Sequence, residues 1–183
     1  MEAKEKLKDL KSYALSNFDI KEVLPTNIFT YPHLADVKHI DEVLDHEGRA
    51  IMLFLTDNEN TGHWISLIKR DGNIEIYDPY GFAPDTQGKN LGVSAGNMRK
   101  MGQDQPLLTD LIKSSGYGIR YNKKRVQPIS PDIATCGRHS LMRLLAAHLP
   151  LDEYNRRLHT ISKEAGVSID DIATVLTAEL LGK

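Results

Sequence analysis

A histidine and an aspartate lie at matched positions on a predicted β-hairpin. His63 begins one β-rich run, Asp78 ends the next, and Asp71-Gly72 between them favours the tight turn of a hairpin. Because side chains alternate along a strand, His63 and Asp78 share one face and are diagonal neighbours at the open end. An imidazole beside a carboxylate can act as a base held by its orienting partner, although such pairs are also common as purely structural contacts.

The remaining residues of that face are apolar, so the face is predicted to be buried. With Asp71-Gly72 in the loop, Arg70 pairs with Asn73, and the shared face carries Ile65, Leu67, Ile74 and Ile76. A one-residue bulge at the turn would change the faces and weaken the geometric argument. What the histidine–aspartate pair lacks is a nucleophile.

The single cysteine, Cys136, is the candidate nucleophile. It lies where the loop 128–135 turns into the best predicted helix, 136–149, so its sulfur would sit at a helix N-terminus. Unpaired backbone N–H groups there favour an anion, and a neighbouring imidazolium adds to the effect. Gly137, directly after it, allows close approach of backbone or substrate. The alternative is a lone cysteine that serves only as a small buried apolar residue.

The composition is that of a globular protein with one domain, expected over residues 1–183. Hydrophobic residues make up 40% of the chain, and a net charge of −2 gives no global attraction to nucleic acid or anionic lipid. One cysteine excludes a disulfide framework within the chain and indicates a reducing, intracellular setting. No apolar run approaches membrane-spanning length, and the charged N-terminus does not resemble a signal peptide.

Periodicity and chain breakers predict further elements around the hairpin. Helices are expected at 1–17, 36–44, 106–114, 136–149, 151–159 and 169–181, and strands at 49–56 and 117–126. A turn-rich connector is expected at 19–32, and a polar surface loop or short helix at 84–105.

Four motifs occur in an order that resembles one protease family. They are His63-Trp64, Asp78-Pro79-Tyr80-Gly81-Phe82, Gln127 and Cys136-Gly137, and they fall within residues 24–147. The ordered set is similar to the adenovirus maturation protease (adenain) and its relatives, which include SUMO-deconjugating proteases and proteases of giant viruses and virophages. The resemblance implies a permuted papain-like α+β fold, with a central mixed or antiparallel sheet flanked by helices.

The resemblance also implies a role for each matched residue. His63 would be the general base and acid, Asp78 would orient it, and Cys136 would attack the scissile carbonyl. Gln127 would donate its side-chain amide to the oxyanion together with the backbone N–H of Cys136, although it lies nine residues before the cysteine, slightly farther than is usual in the family. Trp64 would pack beside the histidine. No cofactor or metal ion is expected.

The expected function is a cysteine endopeptidase that cleaves viral capsid or core precursor proteins during virion maturation, through a thioester acyl-enzyme. Thr135 stands where deconjugating proteases usually have aspartate, which favours the viral branch. The single cysteine excludes the disulfide-linked peptide cofactor of the adenovirus enzyme. The protein would act in the virion and the host-cell cytoplasm, without a membrane segment. A ubiquitin-like-protein deconjugating protease and a catalytically idle capsid-associated binding module are the alternatives.

Other residues could carry different chemistry. Gly92-Val93-Ser94-Ala95-Gly96 matches the nucleophile elbow of serine hydrolases, but the polar stretch 85–90 before it is not the strand that this motif needs. His139, three residues after Cys136, is interpreted as a solvated or substrate-side residue rather than as the base.

Metal and nucleic-acid sites receive weaker support. His33, His39 and His46 have no accompanying cysteines, and His46-Glu47 lacks the second histidine of a zincin helix. The run 120–125 is a local basic patch with one aromatic residue, for which a solvated strand face is favoured over contact with nucleic acid or an acidic peptide.

Overall fold

A five-stranded mixed sheet forms the centre of the computed structural model, which describes residues 2–183. Its strands, in both chain order and spatial order, are Asn27–Thr30 (β1), Arg49–Asn58 (β2), Thr61–Arg70 (β3), Asn73–Tyr77 (β4) and Gly118–Tyr121 (β5). The two edge strands β1 and β5 pair parallel to their neighbours, whereas β2, β3 and β4 are antiparallel. The predicted α+β class with a mixed sheet flanked by helices is confirmed.

Helices lie on both faces of this sheet. Within residues 2–183 they are Glu2–Ser12 (α1), Asn17–Val23 (α2), Gln87–Asn90 (α3), Ala95–Lys100 (α4), Leu107–Ser114 (α5), Cys136–Leu145 (α6), Leu151–Ala165 (α7) and Ile169–Leu180 (α8). Of these, none is both long and apolar enough to cross a bilayer.

The central hairpin has the predicted register. Arg70 pairs with Asn73 across a turn in which Asp71 and Gly72 both adopt positive φ angles, of 49° and 72°. The ladder runs back to the pair of Ser66 with Tyr77 and ends there, so Asp78 follows directly after the last paired residue of β4.

Apolar side chains form a core on each side of the sheet. The predicted buried face of the hairpin joins β2 and α5 in one cluster, which includes Met52, Ile65, Leu67, Ile74, Ile76, Leu108 and Ile112. The opposite face packs against α6 in a second cluster, which includes Ile51, Leu53, Trp64, Ile68, Cys136, Leu141 and Leu144. Helix α6 lies on β3, where the Ser140 hydroxyl donates to the Trp64 carbonyl oxygen at 3.1 Å. The helix that begins with the cysteine is therefore fixed to the strand that carries the histidine.

The connector predicted at 19–32 contains two elements that the sequence analysis missed. Ser16 and Asp19 form a reciprocal capping box, which starts α2. Strand β1 has four residues and pairs parallel to β2 at the sheet edge. So short a strand carries too few residues to show a periodicity of its own.

One predicted segment differs in kind from the structure. The expected helix at 36–44 is replaced by two short 3₁₀ turns, Tyr31–Asp36 and Ile40–Glu42. The polar stretch 84–105 forms two short helices, α3 and α4, in agreement with the short-helix alternative, but it buries the side chains of Gln87 and Gln103 instead of lying wholly on the surface. Gln87 donates to the Asp78 carboxylate, and Gln103 pairs with the backbone N–H and carbonyl oxygen of Leu55.

Three predicted elements are clearly shorter than expected, and one of them is α1, which ends at Ser12 instead of residue 17. Strand β5 ends at Tyr121 instead of reaching residue 126, because the next side chain, Asn122, bonds to the backbone of Asp78. Helix α6 ends at Leu145 instead of residue 149, where Arg143 donates to the carbonyl oxygens that follow the helix.

A buried ion pair anchors the C-terminal end of α6. Arg143, which is 0% exposed, donates to both carboxylate oxygens of Glu75 on β4, at 2.7 and 3.0 Å. It also donates to the carbonyl oxygens of Ala146 and Leu149, at 2.7 and 2.8 Å. This guanidinium joins the sheet, α6 and the connection to α7.

We expect Glu75→Ala to lower the free energy of unfolding by about 3–5 kcal/mol, because it leaves Arg143 buried without its counter-charge. Urea denaturation measures the change. The control is Glu153→Ala, which removes the exposed pairs with Arg156 and Arg157 and is expected to leave the free energy of unfolding nearly unchanged. Equal losses for the two variants would contradict the assignment of Arg143 as an anchor.

Candidate active site

Asp78 lies in a tight turn that the sequence Asp78-Pro79-Tyr80-Gly81 favours. The Gly81 N–H donates to the Asp78 carbonyl oxygen at 2.8 Å, and the Tyr80 N–H donates to the Asp78 carboxylate at 2.8 Å. Gly81 has a φ of +71°, and a Cβ there would lie 2.8 Å from the carbonyl carbon of Lys124. Only glycine fits this close approach, so the turn fixes the carboxylate to the backbone beside it.

The Asp78 carboxylate is completely buried and each of its oxygens has a partner. One oxygen accepts from His63 Nε2 at 2.7 Å, in addition to the Tyr80 N–H, and the other accepts from the Gln87 amide at 2.9 Å. The Asn122 side-chain oxygen accepts from the Asp78 N–H at 2.7 Å, and its amide nitrogen donates to the Asp78 carbonyl oxygen at 2.5 Å. A buried charge with this many donors has one stable orientation.

His63 connects Asp78 to the cysteine. Its Nε2 is committed to Asp78, which leaves Nδ1 for Cys136, whose sulfur lies close enough to the imidazole to raise the pKa of His63. The Tyr80 ring stacks on the imidazole with a centroid distance of 4.6 Å and an interplanar angle of 17°. The structure brings Cys136, His63 and Asp78 together in one place, and their catalytic roles stay a prediction.

The surroundings of His63 favour its protonated form. Burial alone would lower its pKa, but the charge and hydrogen bond of Asp78, together with Cys136, raise the pKa from 6.5 to about 10. The imidazole is therefore protonated at neutral pH. A positive charge beside a cysteine sulfur favours nucleophilic chemistry.

Cys136 is the first residue of α6, as predicted, and its surroundings hold the helix end close to β3. A Cβ on Gly137 would lie 2.9 Å from the Trp64 indole and 3.1 Å from Leu15, so glycine permits this contact. Trp64 also donates from Nε1 to the Leu15 carbonyl oxygen at 2.9 Å. Trp64 thus packs against the residue that follows the nucleophile.

The first turn of α6 has no side-chain cap. Thr135 occupies the N-cap position, but its hydroxyl makes no capping hydrogen bond because it donates to Asp170 at 2.6 Å. The backbone N–H groups at this helix end, next to Cys136, are thereby left without a side-chain acceptor.

Gln127 lies beside the site and is 1% exposed. Its amide nitrogen donates to the Tyr80 hydroxyl at 3.3 Å and to the Ile133 carbonyl oxygen at 3.5 Å, and its oxygen is buried without a partner. The structure brings Gln127 to the tyrosine that stacks on His63. Its proposed donation to an oxyanion stays a prediction.

Sequence reasoning missed three residues that support the site, namely Gln87, Asn122 and Asp170. Asn122 and Asp170 act through hydrogen bonds to residues 44 and 35 positions away, and Gln87 bonds to Asp78, nine residues before it. None of the three belongs to a local pattern that could have indicated it. The interpretation of His139 as a solvated or substrate-side residue is wrong. It is completely buried, and its Nε2 donates to Asp170 at 2.9 Å.

The competing nucleophile has an ordinary structural role. The Ser94 hydroxyl accepts from the Asn97 N–H at 3.2 Å as the N-cap of α4. The element directly before α4 is the helix α3, not the strand that a nucleophile elbow needs. Across residues 2–183, no group of three or more potential ligands is arranged to hold a metal ion. The His33, His39 and His46 set is not brought together as such a group.

Comparison with known proteins identifies one family to which the chain is similar. No family model matches it. It resembles the SUMO protease Ulp1 with its catalytic cysteine oxidised to a sulfinic acid, at 16% identity over 96% of this chain and 76% of that one, but a TM-score of 0.33 is too low to assign a fold or a function. It is 35% identical over 177 residues to a protein of the Sputnik virophage named "Uncharacterized protein V9". The aligned region covers 93% of this chain and 99% of that protein. The chain belongs to the family of the virophage V9 protein.

Proposed function

We propose that this protein is a cysteine endopeptidase with Cys136 as nucleophile, His63 as general base and acid, and Asp78 as the orienting carboxylate. The observation that carries the proposal is the position of Cys136 beside an imidazole that is itself hydrogen-bonded to the buried Asp78 carboxylate. The order of these residues and the packing of α6 on β3 also support a permuted papain-like arrangement.

Acylation uses the proton held on His63. The sulfur of Cys136 attacks the scissile carbonyl carbon and forms a C–S bond while the carbonyl π electrons move to oxygen. His63 then donates its proton to the leaving amine as the C–N bond breaks. The products of this step are a thioester on Cys136 and a free amino terminus.

The oxyanion of the tetrahedral intermediate lies next to the backbone N–H groups at the start of α6. The Cys136 N–H is one donor there, and the absence of a side-chain cap at Thr135 keeps this helix end free for it. Gln127 is the second donor, and its amide must leave its contact with the Tyr80 hydroxyl or the Ile133 carbonyl oxygen to act. These donors stabilise charge that exists only during the reaction.

Deacylation reverses the roles. The neutral imidazole left by acylation takes a proton from water, the resulting hydroxide attacks the thioester, and the sulfur leaves with the imidazolium as its partner. The Asp78 carboxylate remains ionised and holds Nε2 throughout, which keeps Nδ1 directed at the sulfur and the substrate.

The proposed substrates are viral capsid or core precursor proteins, cut during virion maturation in the particle or the host-cell cytoplasm. Membership of a virophage protein family supports a viral setting. By resemblance to the adenovirus-type proteases, we propose a preference for small residues, especially glycine, in an extended peptide beside the hairpin.

Cleavage of virophage capsid precursors by the purified protein tests the activity. We expect products with a defined new amino terminus by mass spectrometry, loss of cleavage in Cys136→Ser, and retention in Ser94→Ala, since that serine only caps α4. Cleavage that survives in Cys136→Ser would overturn the proposal. Cleavage of ubiquitin-like fusions that end in diglycine, without cleavage of capsid protein, would instead indicate a deconjugating protease.

A comparison of two buried glutamines tests the oxyanion donor. Gln127→Ala is expected to lower kcat by about 100-fold with little change in KM, because the lost hydrogen bond forms only in the transition state. The control is Gln103→Ala, which removes bonds to the backbone of Leu55 and should cost stability but not kcat. Steady-state kinetics and thermal denaturation measure both. An unchanged kcat in Gln127→Ala would remove it from the mechanism.

The raised pKa of His63 predicts how stability depends on pH. A histidine that titrates at 6.5 when unfolded and at about 10 when folded adds stability that is full below about pH 6.5 and is lost as the pH rises towards about 10. Asp78→Asn removes the charge that raises this pKa. The difference in urea midpoint between the wild type and Asp78→Asn should therefore be larger at about pH 6 than at about pH 9. A difference that is constant or grows with pH would contradict the ion pair.

A further inference from the structure

A second buried histidine–aspartate pair lies behind the nucleophile. Asp170, at the start of α8, is 1% exposed and accepts on one oxygen from the Thr135 hydroxyl at 2.6 Å and from His139 Nε2 at 2.9 Å. Thr135 directly precedes Cys136, and His139 lies three residues after it on the same helix. One carboxylate therefore holds the residues on both sides of the nucleophile.

Helix α1 completes this arrangement through its last turn. The Lys11 ammonium lies 3.1 Å from the other Asp170 oxygen and 2.5 Å from Asp171. The Lys11 carbonyl oxygen accepts from the Ala134 N–H at 2.8 Å, and the Leu10 carbonyl oxygen accepts from the Arg138 guanidinium at 2.9 Å. Helix α1 has no fully buried residue among those described, and these polar contacts join its last turn to the start of α6.

We propose that Asp170 is the positioning residue for the nucleophile, and that it fixes the start of α6 by holding Thr135 and His139 while Lys11 balances its charge. This rests on the proposed function, because it assigns a role within the same site. Asp170 touches neither substrate nor sulfur in this role. It acts through the two residues that flank Cys136 on the helix.

The position of the Thr135 hydroxyl supports this role beyond ordinary packing. Threonine at an N-cap normally accepts from the backbone N–H groups of the first turn. Here its hydroxyl donates to Asp170, and those N–H groups stay available at the oxyanion position. Release from Asp170 would let the hydroxyl cap the helix and compete with the substrate for the same donors.

The charge of Asp170 fits the same role. Burial would raise its pKa, but the hydrogen bonds from His139 and Thr135 and the contact with Lys11 outweigh burial and lower it, so the group is a carboxylate at neutral pH. Its negative charge also extends to Tyr80, whose pKa is raised by burial and by the nearby charges of Cys136, Asp78 and Asp170. Asp170 thus acts electrostatically on Tyr80, the residue that stacks on His63.

Two variants of Thr135 separate positioning from folding. Thr135→Val keeps the shape but removes the hydroxyl, whereas Thr135→Ser keeps the hydroxyl. We expect Thr135→Val to lower kcat by about 10- to 100-fold with little change in KM, and Thr135→Ser to restore it. A loss in both variants that follows their melting temperatures would overturn the proposal.

Alkylation by iodoacetamide gives a readout that needs no substrate. Cys136 is the single cysteine, so every alkylation event reports on it. At about pH 6 the reaction depends on proton transfer to His63, whereas at about pH 10 it does not. The ratio of the rate at about pH 6 to the rate at about pH 10 should fall about 10-fold in Thr135→Val and in Asp170→Asn, because these changes move the sulfur away from the imidazole.

The matched control is Asp171→Asn, which also loses a contact with Lys11 but touches neither Thr135 nor His139. Its rate ratio should equal that of the wild type. Unchanged ratios in Thr135→Val and Asp170→Asn would overturn the positioning role even if peptide cleavage is found. Failure of every peptide to be cleaved, with the ratios changed as expected, would overturn the protease assignment and leave the positioning of Cys136 intact.

Discussion

The buried ion pair of His63 and Asp78 is the constraint on which the rest of this structure depends. A carboxylate removed from water is costly unless its charge and all its lone pairs are satisfied. The chain meets that requirement with an imidazole from β3, a backbone N–H from the turn after β4, and the amide of Gln87. The donors that stabilise the buried carboxylate also give it a single orientation, so the same hydrogen bonds stabilise the fold and fix the position of His63.

The proposed nucleophile, Cys136, begins a helix that a second set of charges holds at its two ends. Arg143 ties the C-terminal end to Glu75 on the sheet, and Asp170 holds the N-terminal end through Thr135 and His139. Apolar packing of α6 against β3 can tolerate small shifts along the helix axis, whereas hydrogen bonds at both ends do not. The C-terminal helices, which matched no motif, thus have a physical connection to the site.

The parts of the site that sequence could predict are those encoded by neighbouring residues. The Asp71-Gly72 turn sets the register of the hairpin, and the register places His63 beside Asp78. The cysteine at the start of α6 follows from local helix signals. Its contact with His63 was expected only from the order of motifs.

The supporting residues could not be found in this way because their partners are remote in the chain. Asn122 lies 44 residues from Asp78, and Thr135 lies 35 residues from Asp170. A buried asparagine or threonine has no periodic signature, and its partner is decided by how the whole chain folds. His139 shows the same limit, since its place on an apolar helix did not reveal the carboxylate that α8 supplies.

The ion pair of His63 with Asp78 requires that the imidazole of His63 is protonated in the resting protein. Nitrogen-15 NMR of histidine-labelled protein at neutral pH tests it most directly, with the His63 signals assigned by their loss in His63→Gln. The account predicts that both ring nitrogens of His63 are protonated and stay so until the pH approaches about 10. A neutral ring that gains its second proton only below about pH 6.5 would contradict it.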